Sequence, residues 1–274
     1  MPDMTPGVPS ALSPLVRRIV APNPGPMTGP GTNTYLVGID EVAVIDPGPD
    51  DKKHIDAIVG ASMSERVRWV ILTHTHPDHA PGTARLVKAT GAEVLAFSKR
   101  DPDVTPDHAI GDGAIIDGTE WGLEAIHTPG HAPNHLCFFL EEERVLFSGD
   151  HILNGTTTVV SPQRGGDMIQ YMKSLERLRK LRIARICPGH GDVIEEPRPK
   201  IDEYIAHRKM RERQILKELK GGPAKVTDIV ARLYTDTPDE LQEMAGRQVH
   251  AHLLKLRTEG KVEGGSVKSA WKLA

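Results

Sequence analysis

The chain has little cysteine, few aromatic rings and no long apolar run. Cys137 and Cys187 stand 50 residues apart, a spacing of neither a Cys-x-x-Cys zinc site nor a disulfide framework, so both are expected to be reduced, buried thiols of a cytoplasmic protein. Aromatics make up 4% of residues, which leaves a core of Val, Ile, Leu and Ala and few rings on which nucleic-acid bases could stack. No window approaches 18 apolar residues, and the stretch Met1 to Pro14 carries four prolines without an apolar signal core. A membrane span and a signal peptide are therefore not expected.

What is present is a globular composition: 274 residues, 38% hydrophobic, 26% charged, net charge -3. The charge is uneven. Residues 198–274 hold 16 Lys/Arg against 11 Asp/Glu, and residues 1–197 hold 18 against 26, which points to two regions with different tasks. Short β-rich runs at Val16 to Ala21, Thr34 to Val37 and Val42 to Asp46 are punctuated by Gly-Pro turns. They lead into a helix over Asp50 to Ala61 and a buried strand over Val67 to Leu72. A helix at Gly82 to Ala89, a strand at Val94 to Phe97 and an irregular stretch from Asp101 to Gly118 follow. Strands at Leu123 to Ile126, Leu136 to Leu140, Val145 to Phe147 and Ile183 to Ile186 surround a helix at Asp167 to Leu181. Beyond Lys200 the pattern changes to helices over Ile201 to Lys220, Val226 to Tyr234 and Asp239 to Thr258, then a short strand pair ending near Leu273, a winged-helix outline. The expected division is a flexible 1–14, a domain over 15–199 and a winged helix over 200–274.

The chemistry concentrates at strand ends. Directly after the strand ending at Leu72 comes Thr73-His74-Thr75-His76-Pro77-Asp78-His79. Alternate residues of an extended segment project the same way, so His74 and His76 can reach one ion while Asp78 and His79, beyond Pro77, can serve a second. Three further ligand types, His131, Asp150 and His190, each follow a strand and each is preceded by glycine, which permits the turn that aims a side chain into a cleft.

The His-x-His-x-Asp-His run followed by lone His, Asp and His resembles the metallo-β-lactamase superfamily. Asn23-Pro24-Gly25-Pro26, Gly31-Thr32-Asn33-Thr34-Tyr35-Leu36-Val37, Ile45-Asp46-Pro47-Gly48 and the C-terminal helices resemble those lactamase-like hydrolases, endoribonucleases among them, that carry a C-terminal winged helix. The resemblance implies an α+β fold, an αββα sandwich with the site at the edge of two sheets. It also implies one metal on His74, His76 and His131, a second on Asp78, His79 and His190, and Asp150 bridging both. The ions are expected to be zinc, with manganese or iron admissible to a hard carboxylate.

Such a centre can make hydroxide available near neutral pH without a protein base and favours anionic substrates. The leading expectation is a binuclear metallohydrolase that cleaves RNA phosphodiesters with a metal-bound hydroxide, with Asp78 and Asp150 at the reacting centre. The alternatives are a thioester or ester hydrolase like the hydroxyacylglutathione hydrolases, and a metal-sensing DNA-binding regulator. Zinc β-lactamases commonly place cysteine where this chain has Asp150, so antibiotic hydrolysis is not expected. From position, Asp46 can hold a ligand imidazole by its free N–H, or cap the helix that follows it. His135 can protonate a leaving group, or simply solvate the strand entrance. His250 and His252, two apart on a helix, face different directions and make a poor metal pair. Arg247, His250, Lys255 and Arg257 on the third C-terminal helix are the candidate phosphate contacts. Single-stranded RNA is the candidate partner; the winged helix could equally serve as a homodimer contact or a lid.

Overall fold

A computed structural model describes residues 4–98, 104–235 and 237–274. The chain divides into two compact units, one of Met1–Thr128, Asn134–Thr158 and Arg182–Pro197, the other of Pro129–Pro133, Val159–Leu181 and Arg198–Ala274.

The first unit is built on two sheets. The larger takes its seven strands in chain order: β1 (Ser10–Ala11), β2 (Val16–Val20), β3 (Asn33–Val37), β4 (Glu41–Ile45), β5 (Arg66–Ile71), β6 (Glu93–Ala96) and β7 (His108–Ala109). Pairing is antiparallel from β1 to β4 and parallel from β4 to β7. The parallel strands need crossovers, supplied by α1 (Lys52–Ala61) and α2 (Thr83–Thr90). The smaller sheet comprises β8 (Ile115–Asp117), β9 (Gly122–His127), β10 (Leu136–Leu140), β11 (Val145–Gly149) and β12 (Arg185–Pro188), in the order β12-β11-β10-β9-β8. Alternation along the strands builds the layers. On β4, Val42 and Val44 pack with Ile55 and Ile58 of α1 and Leu86 of α2. Ala43 and Ile45 point the other way, to Phe138 and Phe147 of the smaller sheet. Each such branched aliphatic side chain contributes about 1.5–3 kcal/mol by leaving water.

At two places the structure adds strands to the sequence reading. Within 1–14, Ser10–Ala11 pairs with β2 and the Gly7 N–H donates to the Val20 carbonyl at 2.9 Å. The stretch from Asp101 to Gly118 contributes β7 and β8, while residues 99–103 lie outside the described residues. Cys137 and Cys187 are buried thiols, and burial pushes the Cys187 thiol up to about 12. No helix among the described residues is long and apolar enough to cross a membrane.

The second unit contains α3 (Met168–Leu178), nearly all of α4 (Pro197–Leu219), α5 (Val226–Leu233), α6 (Asp239–Thr258) and the hairpin of β13 (Val262–Glu263) and β14 (Lys272–Leu273). Asp167 caps α3 by accepting from the N–H groups of Ile169 and Gln170. Helix α4 starts earlier than expected because Pro197 sits at its first position, where the missing N–H costs nothing. Ile215, Val226, Ile229, Val249 and Leu253 close around Trp271, which is wholly buried. Backbone bonds between Ala224 and Trp271, at 2.8 and 2.9 Å, fasten the hairpin to the helices and complete a winged helix.

Candidate metal centre

The buried strand β5 delivers the chain to Thr73, and the following six residues turn back over the sheet edge. Their side chains fall into two groups. His74, His76, His131 and Asp150 each offer a ligand atom, all within 4.8 Å of one another, and Asp78, His79, Asp150 and His190 do the same. Asp150 belongs to both. Its Oδ1 lies 3.2 Å from His79 Nε2 and 3.3 Å from His190 Nε2, and its Oδ2 lies 4.0 Å from His74 Nε2.

The donor set fits a divalent cation. A tetrahedral ion with bonds near 2.0 Å separates its ligand atoms by about 3.3 Å. His190 Nε2 lies 3.2 Å from Asp78 Oδ2 and 3.3 Å from His79 Nε2. In the other group, His74 Nε2 and His76 Nδ1 face each other at 3.0 Å. The electrostatics ask for positive charge as well. Burial alone would lower the His79 pKa, yet Asp150, Asp78 and Asp46 outweigh it and hold His79 well above the ordinary value. The Asp78 carboxyl, which burial would raise, is held down to about 2 by His79 and His190.

The ring nitrogens that face away from the groups are engaged by the chain, which fixes each ring's orientation. His79 Nδ1 lies 2.8 Å from Asp46 Oδ2, His131 Nδ1 2.6 Å from the Val159 carbonyl, and His74 Nδ1 3.0 Å from Thr73 Oγ1. Asp46 does not cap the helix that follows; Asp51 does, accepting from the His54 N–H at 2.8 Å. Asp46 instead accepts from Thr73 N at 2.8 Å and Thr73 Oγ1 at 2.7 Å, and its backbone takes φ 51, a left-handed value that Asp tolerates better than most residues.

His135 is wholly buried, with Thr128 Oγ1 2.9 Å from Nδ1 and the Asp150 N–H donating to Nε2 at 3.2 Å. That places it beneath the backbone of Asp150, the carboxylate common to both groups, with both ring nitrogens engaged by the chain. His151 is likewise wholly buried, and His127 stacks on Phe97 with ring centroids 4.3 Å apart.

Glycines before the ligands act in two ways. Gly149 adopts φ 46 before Asp150. Gly189 has no need of an unusual φ, but a Cβ there would come within 2.8 Å of Asp150 Oδ1 and 2.9 Å of His79 Cε1. Several residues that serve the centre carried no ligand signature. Asn33 Nδ2 donates to the carbonyls of Pro188 and Gly191, both at 2.8 Å, and Tyr35 Oη donates to the Pro188 carbonyl at 2.7 Å. They clamp the loop bearing His190. The Gly31 to Val37 motif was the available signal for them, although its role was not readable from its residues.

In the second unit the cations of α6 are engaged at home. Arg247 donates to Glu243 at 2.6 Å, Lys255 reaches Glu212 and Glu259, and Arg257 donates to the Gly264 carbonyl and lies over the Trp271 ring. His250 is buried, and burial and Arg257 lower its pKa.

Residues 27–190 match the metallo-beta-lactamase superfamily and residues 226–271 the beta-lactamase associated winged helix domain. The chain belongs to that superfamily of hydrolases. It is 39% identical over 277 residues to the beta-lactamase-like protein 2 homolog of Caenorhabditis elegans, covering 96% of this chain and 91% of that protein. It is 37% identical over 217 residues to an atrochrysone carboxyl ACP thioesterase of Aspergillus fumigatus, covering 77% of this chain and 66% of that one. A metallo-beta-lactamase family protein from Thermus thermophilus superposes with a TM-score of 0.80 at 25% identity, covering 96% of this chain and all of that one.

Proposed function

We propose that this hydrolase cleaves acyl thioesters. The observation that carries the reading is its 37% identity, over 77% of its length, to a protein named as a thioesterase. The site chemistry agrees with it. Water adds to the acyl carbon, the carbon–sulfur bond breaks, and the products are a carboxylate and a thiol. Divalent ions, zinc being the proposed pair, would supply Lewis acidity that polarises the carbonyl and acidifies water. His74, His76, His131 and Asp150 would hold one ion and Asp78, His79, His190 and Asp150 the other. The remaining work belongs to side chains and backbone around them. Asp46 orients His79, the Val159 carbonyl orients His131, and His135 fixes the Asp150 backbone.

RNA phosphodiester cleavage, the leading expectation from sequence, is the competing outcome of the assay. The protein, reconstituted with zinc, is offered an acyl-N-acetylcysteamine thioester and a fluorogenic single-stranded RNA, before and after chelation. Chelator-sensitive release of thiol, faster by orders of magnitude than RNA cleavage, is the expected result. Turnover of the RNA alone would overturn the thioesterase reading.

A further inference from the structure

The cations of α6 have partners within their own unit, yet that unit has a groove in which cations outnumber carboxylates. It is a cavity of about 400 Å³ between α3, α4 and α6. On α3 and its following turn, Lys173, Arg177 and Lys180 fall at i, i+4 and i+7, so they share one face, and all three are exposed. The opposite face of α3, with Tyr171, Leu175 and Leu178, is buried. Lys209 of α4 and Lys255 of α6 also line the groove, against only two carboxylates. Both carboxylates already have cations: Glu176 lies 3.8 Å from Lys209, and Glu212 3.0 Å from Lys255. Among the described residues no ion pair engages Lys173 or Lys180. The apolar part of the lining is Met172, an unbranched side chain that adapts to different contacts.

The groove is also tied to a stretch that bears a candidate ligand. The Asp167 N–H at the start of α3 donates to the Gly130 carbonyl at 2.9 Å, and Ser174 Oγ donates to the Pro129 carbonyl at 2.9 Å. His131 is the next residue in that segment. Arg177 lies three residues beyond Ser174, roughly 4.5 Å along the helix axis.

We propose that this groove docks an acidic carrier protein that bears the thioester, a deepening that rests on the thioesterase reading above. A row of cations at helical spacing is complementary to an acidic helix, and complementarity of this kind steers association and fixes register. Single-stranded nucleic acid is the weaker match, because its binding sites add aromatic platforms for the bases, and no aromatic ring is among the residues lining the groove.

The test compares two substrates sharing one acyl group: an acetyl-loaded acyl carrier protein of net negative charge, and acetyl-N-acetylcysteamine. In the double variant Lys173→Glu, Lys180→Glu, kcat/KM for the loaded carrier should fall at least tenfold through KM, with turnover of the small thioester unchanged. Raising the salt concentration should weaken the wild type on the carrier and leave the small substrate alone. Equal kcat/KM for wild type and variant on the carrier overturns the docking site. So does loss of single-stranded RNA binding in the variant with carrier turnover intact, which would give the groove to nucleic acid. Failure of wild type on acetyl-N-acetylcysteamine is a separate result that removes the thioesterase reading. Titration with unloaded carrier then tests the groove by itself, and binding that the double variant does not weaken overturns it.

Discussion

Buried histidines in the two units have their pKa values shifted in opposite directions. His79 is wholly buried and His190 nearly so, yet the carboxylates of Asp150 and Asp78 outweigh burial and raise both pKa values. In the second unit His252 is 1% exposed, and there burial wins and lowers the pKa, even with Glu212 nearby. His207 is lowered to about 4 by burial together with Arg208 and Arg211. Burial therefore does not mark a metal ligand. What sets the candidate ligands His79 and His190 apart is that Asp78 and Asp150 converge on both imidazoles, whereas His207 and His252 have arginines beside them.

The most direct way to break this contrast is to remove the shared carboxylate. Asp150→Ala should lower turnover by several orders of magnitude and reduce bound metal below that of the wild type, with the far-ultraviolet circular dichroism retained. Near-normal turnover at full metal content would show that Asp150 bridges nothing.

Acid sharpens the contrast from the other side. Burial lowers the His54 pKa to about 4, so this ring is neutral in the folded protein. The unfolded chain takes up a proton there below about 6.5. Its contribution is fully present above that pH, is lost as pH falls towards 4, and totals roughly 3 kcal/mol. Denaturation of the chelated protein at pH 7.5 and 4.5 should show a larger loss for wild type than for His54→Gln. Because His79 and His190 act in the opposite sense, the difference between the two proteins is the quantity to read.

Weaker effects test how the rings are held. Asp46→Ala frees His79 Nδ1 and should weaken metal affinity about 10–100-fold, measured by competition with a chromophoric chelator. Gln248→Leu acts at one further remove: Gln248 Oε1 accepts from the Val160 N–H at 3.3 Å, and the adjoining Val159 carbonyl engages His131. Metal affinity should fall less than tenfold in this variant and recover in Gln248→Glu, and a change as large as that of Asp46→Ala would mean that the ring is held differently.

The candidate metal run was legible because His74, His76, Asp78 and His79 crowd six residues at a strand end, and the lone candidates His131, Asp150 and His190 because each follows a glycine after an apolar strand. The layered fold was legible in the same way, from the alternation of Val42 to Ile45 and the helical spacing of α1. The supporting bonds were hidden. A carbonyl such as that of Val159 has no identity in a sequence, and a common side chain such as Asn33 or Thr73 shows its use only when distant strands meet. The four-residue step from His131 to His135 suggested either a proton donor or a ring solvating the strand entrance, and gave no sign that the ring accepts from the Asp150 N–H.

The clamp from Asn33 onto Pro188 joins groups 155 residues apart, and it orders events during synthesis. The run from His74 to His79 leaves the ribosome long before His190, so a nascent chain carries four ligands with no cage to place them in. The group that includes His190 can therefore be completed only after the segment bearing that residue has been made.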